Sequence, residues 1–217
     1  MVIHYNNDDI KRLDRFYRSN LINSIIGIKQ ANLVGTVSKK NTTNLAIFSS
    51  GIHLGSSPAL IGIFSRPEIK HPKQTMENIV VNKRFTINHV NSDILNRSHA
   101  TSYKFSKYTS EFRECKLNEK YVENFDVPFV DEAEIAIGLE YLNDYKIVEN
   151  GVVMIVGEIK HVIIKNSDHL QENGEINFQS SNSIGVSGNN TYYELSKKMT
   201  LDYVSSSEKF NLEKLLD

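Results

Sequence analysis

The sequence predicts a mainly β fold, an antiparallel barrel with a few helical excursions. Six or more segments have the apolar patterns of strands, and turn signals rich in Gly, Ser, Pro or Asn separate several of them. The strands do not alternate regularly with helices, as they would in a doubly wound parallel sheet. These observations favour an antiparallel barrel over an open parallel sheet.

The amino-terminal part predicts an amphipathic helix, then a strand and a loop. Within residues 1–25, Asp8 and Asp9 precede apolar side chains at helical spacing, and acidic residues stabilise the amino end of a helix. Residues 30–38 have the composition of a strand, and the polar run 39–43 is typical of a hairpin loop. A strand pair is therefore expected to lead into the next segment.

Residues 44–67 contain two apolar runs on either side of a small polar break, Ser49-Ser50-Gly51. The break is expected to leave backbone amides open to a ligand. A Gly-Ser-Ser-Pro turn then leads into residues 59–64, which are apolar at nearly every position. Such a strand is covered on both faces, by the core on one side and by another element or a second subunit on the other. The pattern is consistent with an obligate dimer.

The stretch after Pro67 predicts an exposed loop and a short helix. The loop is polar and spans residues 68–73. The helix is expected to begin at Gln74 or Thr75, and Met76 opens its apolar side. It therefore begins soon after the Arg-Pro pair that ends the preceding strand.

The next stretch predicts a strand, a helix and a surface excursion. Residues 85–90 alternate as a strand, and Ser92-Asp93 is expected to cap a helix that runs toward Phe105. The chain then becomes polar and irregular as far as residue 130. We therefore expect residues 99–130 to form a helical and loop excursion over the barrel surface, with one short helix at about 118–125.

The second half of the chain returns to strands. Residues 135–141 alternate with a period of two, and Asn150-Gly151 is a strong hairpin turn signal. Residues 152–164 then predict a long strand in which Gly157 marks a bulge or a close backbone approach. No repeat or low-complexity linker divides the sequence. We therefore predict a single domain over residues 1–217.

Composition argues against several function classes. Lys and Arg total 25 against 26 Asp and Glu, so the formal net charge of -1 provides no global field for nucleic acid or an anionic membrane. The single cysteine, Cys115, forms neither an internal disulfide nor a multi-cysteine zinc site. No apolar run reaches the length of a signal peptide or a membrane span. We expect a cytoplasmic protein without a nucleic-acid or membrane partner.

One segment of the sequence has side chains suited to a phosphate and a flat polar ring. Ser49, Ser50 and Gly51 offer hydroxyls and backbone amides, and Arg66 offers a bidentate cation. Thr75 stands at a predicted helix start, where backbone N–H groups favour an anion. The sequence contains no GxGxxG, GxxxxGK[ST], HExxH or GxSxG motif. It also has no metal-ligand pattern, so we predict no metal site.

The order of several motifs resembles the flavin reductase-like FMN-binding split-barrel family. These motifs are GTVS at 35–38, NLAIFSS at 44–50, PALIGI at 58–63, SRP at 65–67, T-x-x-N-I at 75–79 and FTINHV at 85–90. Three further segments resemble the flavoredoxin-like branch of that family: HATSYKFSKYTSEF at 99–112, VGEIKHV at 156–162 and SGNNTYY at 187–193. The resemblance covers most of the chain.

This resemblance implies a six-stranded split barrel that binds FMN non-covalently and forms a homodimer with the flavin near the subunit interface. It also implies contacts of the isoalloxazine and ribityl groups with Asn44, Ala46, Ser49 and Ser50. The phosphate is then expected at Arg66 and Thr75, where an arginine fork balances its charge.

The reaction that the resemblance implies is hydride transfer from NADH or NADPH to the flavin. His99 and Ser102 fall in the segment that resembles the part of the flavoredoxin-like branch lying over the flavin. Tyr192, or its neighbour Tyr193, is a further candidate for covering the ring face, although core packing is at least as good an interpretation. His53, His89 and His161 are better interpreted as structural.

Two other functions remain open from the sequence. A non-catalytic FMN-carrying protein would pass electrons to a redox partner protein, and it would show negligible turnover with nicotinamides. A split-barrel binding module with an altered pocket is a weaker hypothesis, because Ser49, Ser50 and Arg66 are retained. The pattern of basic phosphate contacts in the split barrels that oxidise pyridoxamine phosphate is not found here. Cys115 is interpreted as a bystander.

Overall fold

The computed structural model describes residues 1–67 and 74–201. The helices are α1 (Asn7–Arg12), α2 (Arg15–Ser24), α3 (Gln74–Asn82), α4 (Leu95–Ala100) and α5 (Glu111–Glu114), with single 3-10 turns at Ser92–Ile94 and Ser167–His169. The strands are β1 (Lys29–Gln30), β2 (Asn32–Val37), β3 (Thr43–Phe48), β4 (Ile52–Ser56), β5 (Ala59–Ser65), β6 (Arg84–His89), β7 (Glu119–Val122), β8 (Phe125–Val130), β9 (Ile135–Lys146), β10 (Val153–Ile164), β11 (Ile184–Ser187) and β12 (Thr191–Glu194). The predicted loop at 68–73 lies outside the described residues.

The main sheet has seven strands in the order β3-β2-β6-β9-β10-β5-β4, all antiparallel. The mainly β antiparallel prediction is confirmed, with seven strands in this sheet where six were expected. The two edge strands, β3 and β4, are separated in the chain by residues 49–51 alone. Because three residues span only about 10 Å, the sheet has to curl until its edges meet. The predicted polar break is therefore the seam of the barrel.

Ser50, within this seam, extends the pairing of β4 with β5 through its side chain. Its hydroxyl donates to the carbonyl oxygen of Phe64 at 3.0 Å and accepts from the amide of Phe64 at 3.1 Å. Phe64 lies on β5, just beyond the point where pairing with β4 ends at Ile52↔Gly62. The side chain therefore satisfies backbone groups of β5 that the edge strand leaves open.

The two long strands predicted in the second half are confirmed: β9 extends five residues beyond the predicted 135–141, and β10 matches the predicted 152–164 to within one residue. β9 and β10 form a hairpin whose turn contains Asn150 and Gly151, and Gly151 has a φ of +73°, which favours glycine. The pairing shifts register between Val156 and Gly157, as the bulge prediction requires. A Cβ on Gly157 would lie 2.7 Å from the ring of Phe85, so the close-approach interpretation is also correct.

Two large apolar clusters fill the molecule. The cluster inside the barrel comprises Val34, Ile63, Ile79, Phe85, Ile87, Leu139 and Ile155. The second lies on the other face of β2 and β3 and includes Ala31, Leu33, Leu45, Val90, Ile94, Phe112, Val130 and Ile184. Because side chains alternate along a strand, β2 and β3 serve both clusters.

The prediction of a surface excursion over residues 99–130 is wrong in two respects. The short helix expected at 118–125 is instead a hairpin of β7 and β8, whose turn is formed by Glu123 and Asn124, with Asn124 at a φ of +61°. The segment also supplies buried side chains, namely Phe112, Leu117, Phe125, Val127, Phe129 and Val130. The charged residues before β8 obscured its apolar pattern.

Two buried side chains of β6 attach β8 to the barrel. Thr86 Oγ1 donates to the carbonyl oxygen of Pro128 at 2.8 Å. Asn88 accepts from the amide of Val130 at 2.9 Å and donates to the carbonyl oxygen of Leu33 at 3.1 Å. These bonds replace the backbone hydrogen bonds that a neighbouring strand would provide. The prediction of a surface excursion missed them, because they form only when distant parts of the chain pack together.

The helix expected from Ser92-Asp93 toward Phe105 is shorter than predicted. Asn91 caps a 3-10 turn that continues into α4, and α4 ends at Ala100. The amino-terminal helix predicted over 1–25 is divided into α1 and α2, because Asp14 accepts from the amides of Phe16 and Tyr17 and starts a new helix. None of the helices within residues 1–67 and 74–201 is both long enough and apolar enough to cross a membrane.

Candidate functional site

Asn44 and Thr75 meet at the junction of β3 and α3. The amide nitrogen of Asn44 lies 3.3 Å from Thr75 Oγ1 and 3.2 Å from Thr36 Oγ1. Asn78, one turn further along α3, donates to the same Thr36 hydroxyl at 3.0 Å. Three of these side chains are buried, so the network fixes the start of α3 against the barrel wall. Asn78 was missed as a site residue, although it is the Asn of the T-x-x-N-I motif.

The polar break and Arg66 lie close together, before the start of β4 and just after the end of β5. Ser50 is bonded to Phe64, two residues before Arg66, and the Arg66 side chain is exposed. Ser49 and Gly51 flank Ser50 at the seam, and Gly51 is exposed. Because the Ser50 hydroxyl is engaged with the β5 backbone, a ligand at the break would meet backbone amides and the neighbouring residues.

His99 and Tyr192 form a third pair. His99 Nδ1 lies 2.7 Å from the Tyr192 hydroxyl, and the rings are perpendicular with centroids 5.7 Å apart. Burial raises the pKa of Tyr192. Ser102 is exposed and its amide donates to the carbonyl oxygen of His99 at 3.0 Å. Tyr192 also packs against the second apolar cluster, so it is both a packing residue and a partner of His99.

The predicted residues therefore fall into three groups: Asn44 with Thr75, Ser49 to Gly51 near Arg66, and His99 with Ser102 and Tyr192. Among the described residues, no hydrogen bond between side chains joins one group to another. Ala46 is half-buried on β3 between the first two groups, on the face that carries Asn44. A ligand that contacts more than one group has to span the distance between them.

Three buried polar atoms near the break have no hydrogen-bond partner within the described part of the chain: Gln30 Oε1, Asn32 Oδ1 and His89 Nδ1. Asn32 and His89 are opposite each other on β2 and β6. A Cβ on Gly51 would lie 3.3 Å from Asn32 Nδ2. Burial lowers the pKa of His89 to about 4, so its imidazole is neutral at physiological pH. Several buried polar atoms at this end of the barrel are therefore free to bond a ligand.

A cavity of about 580 Å³ opens beside Asn44. Its walls come from the loop between β2 and β3, from α3 and from residues 107–109. The basic side chains on its wall are Lys39, Lys40 and Lys107. Sequence reasoning assigned these lysines to a hairpin loop and to a solvated surface, because only the folded chain brings them together.

Glu111 is a buried carboxyl that the sequence interpretation did not select. It is 5% exposed, and its Oε2 accepts from the amide of Leu45 at 3.1 Å. Burial raises its pKa, an effect that the hydrogen bond from Leu45 opposes. The contact ties α5 to β3 next to Asn44, so Glu111 positions the strand that the predicted ligand would touch.

Other candidates from the sequence have structural surroundings. Cys115 is buried and burial raises the pKa of its thiol, so it is not an activated nucleophile. His161 packs edge-on against Phe125, and His53 Nε2 lies 3.2 Å from Ser56 Oγ. These contacts agree with the bystander and structural interpretations of the sequence.

The family model for the flavin reductase like domain matches residues 28–179. This match covers more than half of the chain, from β1 through the 3-10 turn after β10. The chain belongs to the flavin reductase-like family. This confirms the resemblance seen in the sequence. Tyr192 and β12 lie beyond the matched residues of the flavin reductase-like domain.

Solved structures place the fold within the split-barrel group. A split-barrel protein from Shewanella frigidimarina NCIMB 400, named as a candidate flavin reductase, is 35% identical; the match covers 94% of this chain and 100% of that one with a TM-score of 0.89. Nitrilotriacetate monooxygenase component B from Bacillus cereus is 19% identical over 93% of this chain and 99% of that one, with a TM-score of 0.81. Flavoredoxin of Desulfovibrio vulgaris (Miyazaki F) is 19% identical over 83% and 92%, with a TM-score of 0.68. The split-barrel prediction is therefore confirmed.

Proposed function

We propose that this flavin reductase-like protein binds FMN non-covalently and reduces it with NADH or NADPH. The observation that supports this most directly is the Asn44 to Thr75 contact, at 3.3 Å, within a chain of this family. It attaches the amino end of α3, where backbone N–H groups attract anions, to the strand that leads to the polar break.

The side chains near the polar break and at the start of α3 fit FMN. The exposed guanidinium of Arg66 and the hydroxyl of Thr75 suit a phosphate. The unmatched Oδ1 of Asn32, which lies beside Gly51, and the unmatched Nδ1 of His89, opposite Asn32, suit the polar edge of a flavin ring, which has both donors and acceptors. When bound, FMN would supply a two-electron acceptor: the reduced nicotinamide gives up a hydride, and solvent supplies the balancing proton.

The protein's own residues contribute by binding the flavin and orienting it. Arg66 and Thr75 hold the phosphate, and the backbone at residues 49–51 holds the ring and ribityl groups. The bond of 2.7 Å between His99 and Tyr192 fixes both rings, so either can present a flat surface beside a ligand. No general base is needed for hydride transfer, so these residues act by position.

The visible spectrum of the purified protein tests the proposal, followed by anaerobic addition of NADH and NADPH. We expect flavin absorption bands, either as isolated or after incubation with FMN, and bleaching of these bands by one or both nicotinamides. A protein that shows no bands after incubation with FMN would exclude flavin binding. Tight FMN with negligible bleaching would instead favour the electron-carrier alternative, in which a redox partner protein supplies or accepts electrons.

We also propose that the protein is a homodimer. The outer face of the sheet at β4 and β5 exposes apolar side chains, with Ile52 at 47% and Leu54 at 40% exposure. Both lie over Gly62, and a Cβ there would be about 3.1 to 3.2 Å from them. We expect light scattering to give twice the chain mass of 24.7 kDa, and Leu54→Asp to shift the protein toward monomer. A monomeric wild-type protein at micromolar concentration would contradict this.

A further inference from the structure

The cavity beside Asn44 combines an apolar floor with a cationic rim. Met76, Val80 and Val81 of α3 form the apolar side, and Asn44, Asn78, Thr42 and Thr43 provide polar groups. A volume of about 580 Å³ falls within the range of small-molecule and cofactor sites. The cavity therefore has the size and mixed lining of a ligand site.

The charge at the rim is strongly one-sided. Lys39, Lys40 and Lys107 line the cavity, and Glu77 is the one carboxylate among its described lining residues. None of the three lysines forms a salt bridge within residues 1–67 and 74–201. The three ammonium groups are exposed, so water and salt screen their repulsion, and together they make this opening attractive to an anion.

Tyr108 brings two of these charges to the same place. Lys40 Nζ lies 5.6 Å from the centroid of the Tyr108 ring, and Lys107 Nζ lies 5.2 Å from it. The two ammonium groups come from different segments, the loop after β2 and the stretch before α5. An exposed aromatic ring beside two cations suits a ligand that has both a flat base and a phosphate.

The geometry points to binding of a 2′-phosphorylated adenine nucleotide in this cavity, with Lys40 and Lys107 on its phosphates and Tyr108 against its base. This inference rests on the proposed function, and it specifies the nicotinamide: NADPH is used in preference to NADH. NADPH carries a 2′-phosphate that NADH lacks, so an excess of cations favours NADPH over NADH. The cavity shares Asn44 with the proposed flavin site, so a dinucleotide in it lies next to the flavin.

Calorimetric titration of the purified protein with 2′,5′-ADP tests the inference, because it requires neither bound flavin nor turnover. We expect binding to the wild-type protein and a dissociation constant about tenfold or more higher in the variant Lys40→Ala/Lys107→Ala. Affinity should also fall as salt is raised, and 5′-AMP should bind more weakly than 2′,5′-ADP. In steady-state assays the same variant should raise KM for NADPH more than KM for NADH.

The matched control removes the same charge elsewhere. Lys104 and Lys146 are exposed and do not line the cavity, so Lys104→Ala/Lys146→Ala should bind 2′,5′-ADP within about twofold of wild type. Equal affinity of the Lys40→Ala/Lys107→Ala variant and wild type, or no binding at all, would overturn the assignment. Displacement of bound FMN by 2′,5′-ADP would also overturn the assignment, because it would mean that the cavity holds the flavin phosphate. The flavin spectrum reports failure of the proposed function separately.

Discussion

Replacing Arg66 with alanine should weaken FMN binding by about 10- to 100-fold while changing riboflavin binding by less than about threefold. The side chain is exposed at the end of β5, two residues beyond the Phe64 backbone that Ser50 holds. Its guanidinium is suited to two parallel hydrogen bonds with a phosphate, and riboflavin has no phosphate. Fluorescence titration of the apoprotein with both flavins measures the difference.

Two further variants define what Arg66 contributes. Arg66→Lys keeps the charge without the planar fork, so it should recover part of the FMN affinity. Arg113→Ala removes an exposed arginine that bonds its neighbour Glu114, and it should leave both affinities unchanged. Equal weakening of FMN and riboflavin by Arg66→Ala would mean that the residue supports the fold rather than the phosphate.

Replacing Gly35 with alanine should lower the free energy of unfolding by about 3 kcal/mol. A Cβ at this position would lie 2.4 Å from Thr86 Oγ1 and 2.7 Å from the carbonyl oxygen of Pro128. Thr86 is bonded to Pro128, and its hydroxyl also accepts from Asn88, so none of these groups can move without losing a buried hydrogen bond. For a chain of this length the melting temperature should fall by about 6 to 12 °C.

Gly55→Ala is the matched control. A Cβ on Gly55 would meet a single atom, the carbonyl oxygen of Pro58, at 3.3 Å on the exposed edge strand β4. Thermal unfolding followed by circular dichroism should therefore show a much smaller shift. A melting temperature for Gly35→Ala within about 2 °C of wild type would show that β8 can move away from β2 at little cost.

Local patterns in the sequence predicted much of the fold. β5, β6, β9 and β10 were predicted from apolar alternation or apolar runs, because side chains of a strand reach the core at fixed intervals, and β2 was predicted from its strand-like composition. The turn at Asn150-Gly151 follows from backbone freedom that glycine provides, since Gly151 has a φ of +73°. Glycine suits position 157 for another reason, because a Cβ there would collide with the ring of Phe85. The start of α3 at Gln74 was also predicted within one residue.

The candidate site was only partly predictable. Asn44 and Thr75 were selected separately, and their direct contact depends on how α3 packs against β3. Glu111 was missed because a single glutamate in a polar run gives no sign that it will be buried under β3. The same polar run concealed β8, whose burial depends on Thr86 and Asn88 of a distant strand.

The sequence by itself therefore determined the strand-rich class, the polar break at residues 49–51 and the family motifs, since each depends on neighbouring residues or on their spacing. That this break is the seam of the barrel follows only from the strand order of the folded sheet. Only the tertiary structure decided which side chains meet. Lys40 and Lys107 are 67 positions apart, yet both lie within 6 Å of the Tyr108 ring centroid. Such contacts are set by the closure of the barrel and the packing of its excursion, and no local pattern of residues encodes the distance between them.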